Sequence, residues 1–324
     1  MAEAPADAIR IFDRTQVRRQ RDRAAARLGA HDFLLREVAE RLADRLDDVR
    51  RRFPLALDLG CHDGVLGRVL QGRGGIETLV QCDLSPAMAQ VAAASAAAGG
   101  QPALAADEEF LPFAPASFDL VLSALSLHWV NDLPGALVQL RRCLKPDGLL
   151  LAALLGGETL RELRGALLQA ELEEEGGASP RVSPMADIRD AGALLQRAGF
   201  ALPVADLDSL TVTYPDALAL LRDLRGMGEG NAVSERRRGF SRRATLGRAA
   251  ALYDEQFRQP DGRLPATFQV INLTAWAPHE DQPRPLRPGS ARQRLAEALG
   301  SRERPAGDKA APAGPASRRP PRKS

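Results

Sequence analysis

Cysteine is scarce in this chain of 324 residues: there are three, Cys61, Cys82 and Cys143, and none is spaced as one of a ligand pair. A scattered, odd-numbered set excludes a disulfide framework and a paired-cysteine zinc site, and points to reduced, partly buried thiols. Also missing is any apolar run long enough to span a bilayer, so no transmembrane segment is expected. The N-terminal stretch is rich in arginine, yet it carries Glu3, Asp7, Asp13 and Asp22 and has no apolar centre. That fits neither a secretory signal nor a transit peptide, and a cytoplasmic location is expected. The four histidines, His31, His62, His128 and His279, lie far apart, and none pairs with a nearby acid at an iron-ligand spacing, so no metal site is expected. The net charge is small as well, at +2, but it is unevenly spread. Residues 283 to 324 hold eleven Lys/Arg against three Asp/Glu, which leaves the remainder at −6. A mildly acidic body is a poor binder of nucleic acid, and no nucleic-acid partner is expected.

With 44% hydrophobic residues, the chain can bury a sizeable core. Its organising stretch is Leu55-Ala56-Leu57-Asp58-Leu59-Gly60-Cys61-His62-Asp63-Gly64, a short apolar run that breaks at glycine. The pattern reads as a buried strand turning sharply into a helix, with Gly60 permitting a turn that a side chain would strain. The free N–H groups of that helix then face the carboxyl edge of the sheet, where open α/β sheets bind ligands. The glycines at 60, 64 and 67 do not match the dinucleotide spacing, and Asp58 stands just before the turn. A pyrophosphate disfavours an adjacent carboxylate, whereas an ammonium group attracts one, so S-adenosylmethionine is favoured over NAD.

The remaining chain supplies further strand tips. Residues 10 to 27 interleave Ile11, Phe12 and Val17 with many arginines, as suits an arm or short helix lying on a larger surface, and residues 1–30 are read as that basic arm. Apolar residues recur at helical spacing from Asp32 to Val49, with Asp32 placed to cap the helix. Thr78 to Cys82 reads as a second strand ending in Asp83, whose carboxylate can accept from both ribose hydroxyls. Ser85 and Pro86 then start an alanine-rich helix. Leu104 to Ala106 forms a third short strand before Asp107 and Glu108, where an acid can accept from the adenine amine while Leu84 flanks the ring. A fourth strand ends at Ser123, facing the reactive sulfur, and continues to His128-Trp129; His128 is the candidate catalytic base. A fifth runs from Leu149 to Leu155. Strands alternating with helices call for a parallel sheet covered on both faces. Helices are expected over 158–175, 187–198 and 216–258, the last interrupted by a Gly226 to Asn231 loop, with strands near 208–213 and 267–276. The insertion of about 214–262 is placed to act as a lid over the ligand edge. Residues 279–324, rich in Pro, Arg, Ala and Gly, are read as a disordered tail.

Asp58-Leu59-Gly60 with Gly64, Asp83, Ala106-Asp107 and Phe118-Asp119-Leu120-Val121 together resemble the class I S-adenosylmethionine-dependent methyltransferases. The likeness implies a Rossmann-like α/β fold with a mostly parallel seven-stranded sheet, helices on both faces, and a domain over residues 31–278. Its cofactor residues fall on Asp58, Gly60, His62, Gly64, Asp83, Leu84, Asp107, Glu108 and Ser123. Ile11-Phe12-Asp13-Arg14, Phe53 to Asp58, Ala106 to Phe113, Leu125 to Pro134, Asp223 to Glu229 and Pro265 to Gln269 further resemble the complex I assembly factor family. That family has a mitochondrial member described as an arginine hydroxylase acting on an iron–sulfur subunit of NADH:quinone oxidoreductase. The Leu127-His128-Trp129-Val130 stretch also resembles the O-methyltransferase of biotin synthesis, which esterifies a malonyl carrier protein. The resemblance thus implies a methyltransferase acting on a protein partner linked to complex I, with hydroxylation or carrier esterification as alternatives and a peripheral membrane association as a further expectation. One departure stands out: the class usually has glycine where His62 stands, and a histidine there either points away or covers the methionine end.

Overall fold

In a computed structural model of the protein, the described residues are 10–95 and 101–283, with positions 297 and 300. The described residues up to Glu280 belong to a first compact unit; the tail expected over 279–324 lies largely, and residues 1–9 of the expected basic arm wholly, outside the described residues. In chain order the first unit runs α1 (Arg14–Ala24), a 3-10 turn (Ala25–Ala30), α2 (Phe33–Asp47), β1 (Leu55–Leu59), α3 (Val65–Val69), β2 (Thr78–Asp83), α4 (Pro86–Ser95), β3 (Ala103–Ala105) and β4 (Phe118–Ala124). It continues through α5 (Leu133–Cys143), β5 (Leu144–Leu155), α6 (Arg161–Glu175), α7 (Ile188–Arg197), β6 (Ala201–Tyr214), α8 (Ala217–Met227), α9 (Arg243–Phe257) and β7 (Leu264–Trp276).

Among the described residues the strands form a seven-stranded sheet in the order β3-β2-β1-β4-β5-β7-β6. The pairs from β3 to β5 are parallel, and β7 runs antiparallel to both β5 and β6. Both faces are covered, which is why the central strands read as continuous apolar runs. On β4, Leu120 and Leu122 face a core built with α2, α6, α8 and α9, while Val121 faces the opposite core with α5 and α7. β5 alternates in the same way, Leu149 and Leu151 against Leu150 and Leu154. All three cysteines are free and buried.

The largest difference from expectation is at the N-terminus. α1, capped by Asp13 accepting from the Gln16 N–H at 3.0 Å, is woven into the body rather than laid upon it. Its buried face is Val17, Arg21 and Ala24, spaced four and three apart, so an arginine occupies the core-facing position of an apolar stripe. The preceding segment pairs with the insertion: Asp13 N–H donates to the Ala232 carbonyl and Ser234 N–H to the Ile11 carbonyl, both at 2.8 Å. That pairing brings Val233 into a bridge with Phe12, and α8 stops at Gly228 with φ 81°, so the interruption expected at Gly226 to Asn231 within 216–258 is there but runs on to the start of α9 at Arg243. Asp32 precedes α2 without capping it and instead pairs with Arg36 at 2.7 Å.

Candidate functional site

The sheet order sets the carboxyl ends of β3, β2, β1 and β4 side by side. At β1 the chain turns at Gly60, φ 70°, and the Gly60 and Cys61 N–H groups both donate to the Cys82 carbonyl, tying the turn to the end of β2. Gly60 is needed for close approach as well as for its dihedral angle. A Cβ there would lie 2.1 Å from Ser126 Cβ, so it is this chain's own serine that uses the space. Gly64, φ 81°, packs differently: a Cβ would meet Gln81 and the backbone of α4 at Ala92. Its absence of a side chain seats helix on strand rather than admitting a ligand. Ser123 likewise turns away from the site, donating its hydroxyl to the Leu59 carbonyl at 2.8 Å and so cross-linking β4 to β1.

The acids expected at the strand tips do converge. Asp83 Oδ1 accepts from Ser85 N–H at 2.8 Å, and Oδ2 accepts from His62 N–H at 3.1 Å and Arg21 Nη1 at 3.2 Å. Glu108 accepts from Ser126 Oγ at 2.5 Å and Arg21 Nη1 at 3.1 Å, and its other oxygen pairs with Arg14. Arg14 also reaches Asp107 at 2.6 Å and the Trp129 carbonyl at 3.2 Å. Burial alone would raise the Glu108 carboxyl, but Arg14, Arg21 and Ser126 outweigh it and hold the pKa down to about 2. Arg21, 1% exposed, is held firmly charged by Asp83 and Glu108 against its own burial. Leu84 flanks Phe12, Val17 and Trp129 in a small separate core.

Asp58 is the exception. It is wholly buried, neither carboxylate oxygen has a hydrogen-bond partner, and burial, with Asp83 and Asp63 adding repulsion, pushes its pKa up to about 8. A bare buried carboxylate is costly unless a cation meets it, and the ammonium of S-adenosylmethionine is a cation of the right kind. Asp83 fits the ribose with one condition. A carboxylate offers about four acceptor positions, of which three are taken, so two ribose hydroxyls can both be accommodated only if Arg21 gives up its place.

His62, at φ 51°, turns its ring into the molecule, 3% exposed, with Nε2 3.2 Å from the Ala124 carbonyl and Nδ1 unpartnered. The ring and Glu229 are the polar groups lining a cavity of about 30 Å3 whose other walls are apolar, Leu35, Leu125, Leu160, Met227 and Phe268 among them. His128 is not on that wall. Its Nε2 lies 3.0 Å from Glu229 Oε2, the same oxygen that accepts from Trp129 Nε1 at 3.0 Å, while Trp129 stacks edge-on against Phe12 at 5.4 Å. The ring proposed as a base from its position thus fixes the insertion to the end of β4. Arg14, Arg21, Ser126 and Glu229 were missing from the residues expected at the site. Arg14, Ser126 and Glu229 lie inside stretches that carried the family resemblance, and Arg21 is in phase with Val17 and Ala24.

Residues 57–152 match the model of a methyltransferase domain. The chain is 45% identical over 293 residues to an arginine-hydroxylase NDUFAF5, mitochondrial, of Danio rerio, covering 89% of each chain. It is 38% identical over 275 residues to a malonyl-[acyl-carrier protein] O-methyltransferase of a Methylovorus species, covering 83% of this chain and 90% of that one. A solved phosphoethanolamine N-methyltransferase 2 of Haemonchus contortus, in complex with S-adenosyl-L-methionine, aligns at a TM-score of 0.50 and 16% identity over 81% of this chain and 60% of that one, a likeness of fold alone. Similarity of this extent to two kinds of protein built on one domain is decisive for ancestry: the chain belongs to the S-adenosylmethionine-dependent methyltransferases of class I, in the group that includes the NDUFAF5 arginine-hydroxylases and the malonyl-[acyl-carrier protein] O-methyltransferases.

Proposed function

We propose that the protein transfers a methyl group from S-adenosylmethionine to a protein partner linked to the assembly of respiratory complex I. The observation that carries this reading is Asp58, a buried carboxylate without a partner at the tip where the donor's ammonium is needed. The cofactor supplies a methyl group already activated on a sulfonium, so the protein's task is placement more than acid–base chemistry. Asp58 would hold the ammonium and Asp83 the ribose, with Glu108 as the other carboxylate that Arg21 already pairs with. The apolar walls beside His62 exclude water from the acceptor. Glu229, holding His128 and Trp129, closes the insertion over the strand tips. A cytoplasmic location, inferred from composition, belongs to the same proposal.

A second reading is hydroxylation of an arginine on an iron–sulfur subunit of complex I. What favours it is the greater identity to the arginine-hydroxylase, 45% against 38% for the O-methyltransferase. Intact-mass analysis separates the two. The protein is incubated in air with S-adenosylmethionine, iron(II), a reductant and either that subunit or malonyl carrier protein, with iron left out as the control, and the product is weighed. A gain of one CH2 on the subunit is expected. A gain of one oxygen would establish hydroxylation instead, and a methyl ester on the carrier would establish the third reaction.

A further inference from the structure

The residue that departs from the family pattern carries the inference. His62 stands at a left-handed φ of 51°, a conformation that costs most residues other than glycine and is populated mainly by Asn, Asp and His among them. Its backbone N–H is committed to Asp83 and its ring Nε2 faces the Ala124 carbonyl, which can only accept, so the proton of a neutral ring lies on Nε2. That leaves Nδ1 as a lone pair. It is buried, has no partner, and belongs to a ring that walls the leucine-lined cavity beside the strand tips. The other polar lining residue, Glu229, is already engaged by His128 and Trp129.

The geometry points to His62 Nδ1, rather than His128, as the group that accepts the proton from the methyl acceptor, a nitrogen or oxygen nucleophile carrying an N–H or O–H at the tip of an aliphatic arm, the tip alone entering this cavity. The inference rests on the methyl-transfer reading above. In the step, the acceptor heteroatom forms a bond to the methyl carbon as the sulfur–methyl bond breaks. The electron pair of that bond stays on sulfur, giving S-adenosylhomocysteine, and the acceptor's proton passes to Nδ1. The surroundings keep the ring free to act. Burial first and Arg21 of α1 second lower the His62 pKa, opposed by Asp83 at the tip of β2, by Glu229 after α8 and by the adjacent Asp63, so the ring is neutral at neutral pH. The aliphatic arm is required by the walls, which offer an acceptor little else to bind.

The test removes the ring without disturbing the turn. His62→Gly restores the residue that the backbone conformation favours and opens a space of the imidazole's own shape, and His62→Asn removes the base while keeping a side chain tolerated at positive φ. Calorimetry on both variants gives their affinity for S-adenosylmethionine, so that kcat is compared with the cofactor saturating. Both should lose about 10²- to 10⁴-fold in kcat for the methylated partner. Imidazole in solution should restore activity to His62→Gly alone. The wild-type rate should fall in acid through a pKa below the ordinary histidine value of 6.5, and that limb should vanish in the variants. Unchanged kcat, or weaker cofactor binding with kcat intact at saturation, would overturn the assignment; the former is what a carboxylate acceptor, which has no proton to lose, would give. Nitrogen-15 spectra of the wild type keep this separable from the reading it rests on and do not depend on the variants folding. An Nδ1 that carries the proton would overturn the base alone, whereas absence of methyl transfer by the wild type would overturn function and base together.

Discussion

The ends of β1 and β3 present the same problem with opposite solutions. Asp58 and Glu108 are both wholly buried carboxylates at one edge of one sheet. Glu108 is met by Arg14, Arg21 and Ser126, and its pKa falls to about 2; Asp58 is met by nothing, and its pKa climbs to about 8. Burial therefore does not set the charge state here. The partner does, and the charged partners come from α1, a helix outside the sheet. The acids at the tips of β2 and β3 are prepaired by arginines of the same chain, while the acid at the tip of β1 is left for a cation to complete.

The largest effect should come from removing the shared partner. Arg21→Met keeps the length of the side chain but strips its charge from Asp83 and Glu108 together, and unpairing a buried ion cluster costs about 3–5 kcal/mol. Denaturant unfolding measures this, and a loss under about 1 kcal/mol would mean that the arginine is a bystander.

Next in size is a pH dependence that the two carboxylates impose with opposite signs. Asp58 in the folded protein keeps its proton to about pH 8, whereas the unfolded chain releases it near 3.8, so its contribution to stability declines as pH rises between those values. At about 1.4 kcal/mol per pH unit, roughly 3 kcal/mol is lost between about pH 5 and 7. Glu108 acts in acid: its contribution is present above 4.5 and is lost as pH falls through about 2. Asp58→Asn should flatten the first slope and leave the second. Because an ammonium ionises Asp58, S-adenosylmethionine binding near neutral pH should release a proton, read as a dependence of the calorimetric heat on the buffer's ionisation enthalpy. Heat independent of buffer would show that Asp58 does not meet the ammonium.

Smaller still is Asp83→Ala, which removes the ribose acceptor at about 1.5–3 kcal/mol, roughly tenfold or more in cofactor affinity. The same binding measurement on Glu108→Gln sharpens the contrast between the tips, since Glu108 is spent on Arg14 and Arg21. The least effect is expected from Glu229→Gln, which keeps an acceptor for Trp129 but loses its charge toward His128, at about 1 kcal/mol of stability by thermal melting.

What could be read along the chain was local. A glycine turn after an apolar run, an acid one residue before the strand's end, and a Ser85-Pro86 helix start placed Asp58, Gly60 and Asp83 at adjacent tips. Each signal spans a few residues, and the backbone's own steric rules connect them to structure. The far end of the sheet was legible in part: the strands expected near 208–213 and 267–276 are the second half of β6 and most of β7, while the first half of β6, an edge strand of alternating and half-exposed residues, and the antiparallel direction of both were not written in any local run. What no local pattern could decide was which acids would be neutralised. Arg21 lies 62 residues from Asp83 and 87 from Glu108, and Glu229 lies 101 from His128. Those pairings arise only when α1 and the insertion pack over the sheet, so a row of equivalent acids in the sequence became charged, paired carboxylates and one bare one in the fold. The amino-acid sequence determined where the acids stand; tertiary packing decided which of them was left for a ligand, because charge in a low-dielectric interior is governed by whatever chain is brought within a few ångströms of it.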